Sequence, residues 1–156
     1  MTQATAENRS REQAKSQLDS IEQWHRIWTW AEDADAEAKD LPWVDRQYIV
    51  RDLGWNEDTD PGHIRDCIQQ LVEEDPLSLE VRSGWTSAGE TLEPEEFSIL
   101  LCTGGPAVRL RGTLSSGSVD RCWIEHQDWF TPWQELNTPG ASDALVWYAD
   151  HFYVGE

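Results

Sequence analysis

A chain of 156 residues and 17.9 kDa is long enough for one ordinary domain with a buried core. Thirty Asp and Glu residues against twelve Lys and Arg residues leave a formal charge of −18, which argues against a surface that grips nucleic acid phosphates or anionic lipid. The three cysteines fit neither a disulfide framework nor a zinc site, and no apolar run is long enough to span a membrane. We therefore expect a soluble, cytoplasmic protein.

The first half of the sequence predicts helices. Residues 1–17 have no apolar periodicity, and we expect a flexible lead-in. From Leu18, apolar residues recur every three or four positions, which is typical of an amphipathic helix, and this helix is predicted to end near Asp40. Leu41-Pro42 interrupts it, and a second helix is predicted over residues 43–53. The residues expected to face inward from this second helix are Val44, Tyr48 and Val50.

A third helix and then a sheet are predicted next. Asp60 is an expected N-cap with Pro61 at the first helical position, and Asp75-Pro76 ends this helix. After Pro76 the apolar period changes from about 3.6 to 2, which predicts strands. These strands are expected over residues 77–83, 96–102, 107–114 and 120–129. Short Gly-containing connections favour an antiparallel meander.

A last helix over residues 142–152, capped by Ser142, would cover one face of the sheet. The predicted fold class is therefore α+β, with about three N-terminal helices, a four-stranded antiparallel meander and a C-terminal helix. We expect the helical region 18–76 and the region 77–156 to form one compact domain.

Acidic residues are the strongest functional signal. Residues 1–76 carry a net charge of −10 and residues 77–156 carry −8. Three acidic runs are the candidate partner-binding residues: Glu32, Asp33, Asp35, Glu37, Asp40, Glu57, Asp58, Asp60, Glu73, Glu74 and Asp75. Eighteen charges on one face would match about 30 Å of duplex DNA, or about nine base pairs, and such an array fits a DNA-binding protein's basic groove. The alternative is a solvated surface that serves only solubility.

Catalytic and metal-binding patterns are weak. Asn56, Asp58 and Asp60 alternate as in a calcium loop, but Pro61 and Cys67 stand where that loop needs glycine and glutamate. The four histidines are far apart, and the sequence has no nucleophile elbow or phosphate-binding loop. We therefore expect no catalytic residue, metal or cofactor. The one polar constellation that an enzyme could use is Arg82, Arg109, His126 and Asp128.

Tryptophans provide an alternative binding surface. Of the ten in the chain, Trp85, Trp129 and Trp133 lie beside Gly, Asp, Thr or Pro in predicted loops. An aromatic residue in such a position serves either as a partner anchor or as a plug for its loop. The alternative function is therefore a protein-interaction or regulatory module that uses an exposed tryptophan patch without DNA mimicry.

Four strings in the C-terminal half carry a family resemblance: VRSGW at 81–85, ILLCTGGPAVR at 99–109, QDWFTPW at 127–133 and FYVGE at 152–156. On these strings, residues 79–156 resemble a family of small uncharacterised proteins encoded in phages and prophage regions of proteobacteria. The N-terminal helices have no counterpart in this resemblance, and it implies no catalytic residue. It does imply a bacterial host cell.

Small acidic phage proteins include DNA mimics that block restriction enzymes or CRISPR effectors, and this chain is similar to them in size and charge. The expected function is therefore inhibition or modulation of a host DNA-binding defence protein. The expected partner is a host or phage protein with a basic DNA-binding surface, and we expect neither direct binding to nucleic acid nor a membrane partner.

Overall fold

The computed structural model of the protein describes residues 2–129 and 131–152. In these residues the helices are α1 (Gln3–Trp30), α2 (Trp43–Arg51), α3 (Pro61–Glu74) and α4 (Ser142–Ala149), with a short 3-10 helix at Ala38–Asp40. The strands are β1 (Ser78–Ser83), β2 (Pro94–Cys102), β3 (Ala107–Ser115), β4 (Ser118–Gln127) and β5 (Gln134–Glu135). They form one antiparallel sheet in the order β1-β2-β3-β4-β5. The predicted α+β class and antiparallel meander are confirmed.

One face of the sheet is packed and the other is open. Helix α1 lies against β3 and β4, and α4 lies against β4. Alternate residues of β2, β3 and β4 are buried on this face, because successive side chains of a strand point to opposite faces. Gly112 of β3 has no room for a side chain, since an added Cβ would lie 2.2 Å from both the Phe97 ring and the carbonyl oxygen of Arg121. The opposite face carries charged residues and stays partly exposed.

Several elements differ from the prediction, and the last helix ends at Ala149 instead of residue 152. The sheet has a fifth strand, whose two residues are too few to show any alternation in sequence. Helix α1 ends at Trp30 instead of Asp40, because the chain turns there and the Trp30 indole donates a hydrogen bond to the Glu37 carbonyl (2.9 Å). The N-cap of α4 is Ala141, and Ser142 is the first helical residue with no capping role.

Helix α1 begins 15 residues before the predicted start at Leu18. Its early turns bury Ala6, Ser10 and Ala14, one turn apart, in line with Leu18. These small side chains let the helix approach the sheet closely, but they carry no apolar signal in sequence. The segment expected to be a flexible lead-in is therefore part of the longest helix.

The inward face of α2 is also different from the prediction. Val44 and Val50 are 57% and 49% exposed, whereas Asp45 and Ile49 are completely buried. Tyr48 is half-buried, as expected of an inward residue. The helix is therefore rotated relative to the prediction, so that a carboxylate points into the protein and apolar side chains point out.

Helix α3 forms as predicted. Asp60 is its N-cap and accepts a hydrogen bond from the Gly62 amide (2.9 Å), and Ile64, Ile68 and Val72 are buried. None of the helices in the described ranges is long and apolar enough to cross a membrane. Residues 153–156, which complete the last string of the family resemblance, lie outside the described residues.

Candidate functional site

The negative charge is unevenly distributed along the fold. Residues 1–30 carry four acidic and four basic side chains, so this part of the chain is neutral. Residues 31–60, which we call the acidic end, carry ten acidic and three basic side chains and a net charge of −7. The acidic end follows α1 directly and contains the 3-10 helix and α2. Almost two fifths of the net charge therefore belongs to one fifth of the chain.

A tryptophan pair brings the first two acidic runs together. The rings of Trp30 and Trp55 meet edge to face with centroids 5.1 Å apart. Trp30 also holds the 32–40 segment through its bond to the Glu37 carbonyl, and Trp55 precedes the second run directly. The segments 32–40 and 56–60 therefore lie at the same end of the molecule.

Nine of the ten carboxylates of the acidic end are exposed. Eight of them belong to the predicted runs: Glu32, Asp33, Asp35, Glu37, Asp40, Glu57, Asp58 and Asp60. Asp33 and Asp60 also accept hydrogen bonds from backbone amides two residues ahead, which fixes their local turns. The Lys39 ammonium lies 2.7 Å from Glu37 on the surface, where such a pair contributes little.

The third acidic run lies elsewhere. Glu73 and Glu74 are exposed at the far end of α3, whose 14 residues place them about 20 Å from Asp60. Asp75 is half-buried and accepts a hydrogen bond from the Tyr148 hydroxyl (2.6 Å), and burial raises the pKa of its carboxyl. Asp75 therefore has a structural contact, and the eleven predicted acids do not form one continuous group.

The buried acid of the acidic end, Asp45, explains the rotation of α2. The guanidinium of Arg26 donates two hydrogen bonds to its carboxylate (2.8 and 3.0 Å), and the Gln23 amide donates another (3.1 Å). Burial by itself would raise the pKa of Asp45, but these bonds and the charge of Arg26 outweigh it and lower the pKa. Because Asp45 is held against α1, the opposite side of α2 faces solvent.

That outward side of α2 carries three exposed apolar side chains beside the polar Gln47 and Arg51. Trp43 is 69% exposed, and it lies with Val44 and Val50 between the two acidic runs in sequence. Sequence reasoning missed this group because it placed Val44 and Val50 on the inward face and assigned no face to Trp43. The signal available in the sequence was the spacing of Trp43, Gln47 and Val50, which is itself a helical stripe.

The three tryptophans of the alternative site do not form one surface. Trp85 follows β1, whereas Trp129 follows β4 at the opposite end of the sheet, and the nine residues of β2 separate these ends by about 30 Å. Trp85 is fully exposed and Trp129 is 72% exposed. Trp133 is half-buried, with the Arg109 guanidinium 3.9 Å from its ring centroid.

The polar constellation is divided between the two faces of the sheet. Arg82 and Arg109 lie on the open face, where Arg82 pairs with Glu96 and Arg109 with Glu125 (2.8 Å). His126 and Asp128 are buried and contact the start of α1. The structure therefore does not bring these four residues to a common pocket.

His126 and Asp128 anchor α1 to the sheet. Arg9 donates two hydrogen bonds to the Asp128 carboxylate (2.7 and 2.8 Å), and Ser10 Oγ lies 2.8 Å from His126 Nδ1. Burial lowers the pKa of His126, and the nearby charge of Arg11 lowers it further. Burial would raise the pKa of Asp128, but the Trp129 amide and Arg9 bind its charged form and lower it. Both residues therefore have structural contacts that sequence spacing did not reveal.

Within residues 2–129 and 131–152, no group of three or more His, Cys, Asp or Glu side chains is placed to hold a metal ion. The fold and these contacts define a small acidic α+β protein in which three exposed apolar residues of one helix lie between two acidic runs of the sequence. No protein-family model matches the chain, and neither the curated proteins nor the solved structures include a significant match to it.

Proposed function

We propose that the protein inhibits or modulates another protein by binding its basic, nucleic-acid-binding surface through the acidic end. The observation that carries this proposal is the exposed face of α2, where Trp43, Val44 and Val50 lie among exposed carboxylates. Solubility alone does not account for three large apolar side chains exposed on one short helix. An apolar centre with a charged rim is typical of protein interfaces, where Trp residues contribute much of the binding energy.

The amount of charge limits the length of nucleic acid that the acidic end imitates. Seven net charges correspond to about 12 Å of duplex DNA, or between three and four base pairs. The acidic end thus replaces a short stretch of phosphates at one site of the partner, in place of the nine base pairs expected from the whole charge. Glu73 and Glu74 lie about 20 Å from Asp60 along α3 and are not part of this short stretch.

The resemblance to phage and prophage proteins gives the proposed setting. In a bacterial host cell, the basic surfaces that such a protein would gain most by blocking belong to defence proteins of the restriction or CRISPR type. The proposed partner is therefore a host protein of that class, in the cytoplasm.

The test is affinity capture from host lysate at low and high salt, followed by competition with duplex DNA. The wild type should retain a DNA-binding protein that DNA displaces. The W43A variant and the E32Q/D33N/E57Q/D58N variant should each lose at least tenfold in affinity for it. The control E90Q/E93Q/D120N/D143N removes four exposed acids outside the acidic end and should bind nearly as the wild type does.

Three results would argue against the proposal. They are equal losses in the two charge variants, no effect of W43A, and binding that does not change with salt. A salt-resistant partner that W129A loses would favour the interaction module without DNA mimicry.

A further inference from the structure

A second exposed apolar group surrounds the edge strand β1. Five of the nine large hydrophobic residues that are exposed in the described residues belong to it: Leu77, Leu79, Val81, Trp85 and Leu92. Leu79 and Val81 point to the face on which α1 and α4 lie, since they pair with the buried Ile99 and Phe97 of β2. Those helices pack over β3 and β4, so Leu79 and Val81 remain 37% and 48% exposed.

The outer edge of β1 is the end of the described sheet. An edge strand presents unpaired backbone amides and carbonyls, and proteins usually shield such an edge from pairing with another chain. Here the edge strand is six residues long, and apolar side chains alternate with charged ones along it.

We propose that the β1 edge binds the β1 edge of a second copy of this chain, in an antiparallel pair around a two-fold axis at Val81. The two sheets would then continue as one sheet of ten strands. A two-fold axis perpendicular to the sheet keeps each side chain on its own face. Residues opposite each other must therefore both be even-numbered or both be odd-numbered, and the axis must pass beside one residue.

Charge selects Val81 as that residue. With the axis at Val81, Glu80 lies opposite Arg82 of the second copy, and this ion pair forms twice. An axis at Glu80 or at Arg82 would place two like charges opposite each other, and an axis at Leu79 would leave Arg82 opposite no acid. The strand is therefore self-complementary in one register.

The same register brings the two copies of Val81 together. Val81 lies opposite its own copy, and Leu79 lies opposite Ser83 of the second copy. The register thus covers Val81, which the single chain leaves 48% exposed. Each copy also carries a charge of −18, and this long-range repulsion opposes pairing. Salt screens that repulsion, so we expect the dimer to strengthen as salt rises.

A cross-link tests the register. In V81C, the two new thiols would lie at the axis, where opposite Cα atoms are about 4.5 to 5.5 Å apart, within the range that a disulfide bridges. In the control L79C, the two new cysteines are separated by four residues along the paired strands, which is about 14 Å. Mild oxidation at about 100 μM should convert most of V81C, but neither L79C nor the wild type, to a covalent dimer that reduction reverses. Equal cross-linking of V81C and L79C, or none in either, would overturn the proposal.

Charge reversal tests the ion pairs by sedimentation. E80R reduces the net negative charge to −16, which by itself favours association. The new arginine at position 80, however, lies opposite Arg82 of the second copy on both sides of the axis, and this should abolish the dimer. The control D66R makes the same charge change at an exposed position of α3 and should keep the dimer. A mixture of E80R and R82E should form a heterodimer, because each arginine then faces a glutamate.

A wild type that remains monomeric up to about 500 μM, or E80R that dimerises like D66R, would overturn the proposal. Neither measurement requires the partner of the acidic end, so this inference stands or fails independently of the proposed function.

Discussion

Each end of α1 has an arginine that pairs with a buried aspartate, but the surroundings of the two aspartates differ. Near its start, Arg9 holds the buried Asp128, and near its end Arg26 holds the buried Asp45. Around Asp128 the protein is packed against the sheet, whereas around Asp45 nine other carboxylates are exposed to solvent. An acidic residue therefore stabilises the fold when a cationic side chain pairs with it. Its place within an acidic run of the sequence does not decide this.

The buried, paired acids are therefore expected to contribute to stability, and the exposed acids to binding. At the sheet end of α1, Arg9 and Ser10 contact Asp128 and His126. Substitutions there should change the free energy of unfolding. Substitutions of exposed acids should leave that quantity almost unchanged and act on association. Unfolding measurements on variants of the two ends can therefore test this separation.

The largest effect is expected from Arg9→Met, which leaves the Asp128 carboxylate buried with its main cationic partner removed. The free energy of unfolding should fall by about 3 kcal/mol, at the low end of the range for breaking a buried ion pair because the Arg9 side chain is 41% exposed. Chemical denaturation measures this, and hydrogen exchange should accelerate in the first turns of α1. Lys15→Met removes the same charge from an exposed position of α1 and should change stability by less than 0.5 kcal/mol, on the order expected for surface sites. Equal effects of the two variants would show that the Arg9 contact is not an anchor.

A smaller effect is expected from Trp55→Leu at the acidic end. This change removes the edge-to-face contact with Trp30 and should lower the free energy of unfolding by about 1 kcal/mol. Because that contact holds the two acidic runs together, hydrogen exchange in segments 32–40 and 56–60 should rise more than in the sheet. An increase spread evenly over the protein would contradict a local role for the pair.

Mild acid should weaken the sheet end. Burial places the pKa of His126 below its ordinary value of 6.5, so the unfolded chain takes up a proton first as the pH falls. The contribution of His126 is complete above pH 6.5 and decreases as the pH drops towards the lowered pKa, and His25 adds a change of the same sign. His126→Asn, which keeps a donor near Ser10, should reduce the slope of stability against pH between 7.5 and about 5.5. The same substitution at the exposed His63 serves as the control, and equal slopes in the two variants would refute the assignment.

The sequence predicts the parts of the fold that depend on local periodicity. The change of period at Pro76 locates the sheet, and Asp60-Pro61 locates the start of α3. The contacts that it does not reveal join residues far apart in the chain. Arg9 and Asp128 are separated by 119 positions, and nothing in either neighbourhood indicates the pair.

The same limit explains the errors at α2 and at the tryptophans. The inward turn of Asp45 depends on Arg26 of another helix, so the local pattern of α2 suggested the wrong face. Trp85 and Trp129 were grouped by the composition of their loops, although the antiparallel topology sends those loops to opposite ends of the sheet. The acidic runs, by contrast, can be read directly from the sequence. Their arrangement in space, with two runs at one end of the molecule, cannot.

The smallest change in the free energy of unfolding should come from neutralising exposed acids, and we expect this change to be zero or stabilising. Glu57→Gln with Asp58→Asn removes two charges from a region of net charge −7, so mutual repulsion falls and stability should stay equal or rise by up to about 0.5 kcal/mol at low salt. The difference from the wild type should vanish above about 0.3 M salt, where exposed charges are screened. Thermal unfolding at two salt concentrations measures it. A loss of stability that persists in high salt would mean that these carboxylates hold the fold together like Asp128, and the separation between the two ends of α1 would then fail.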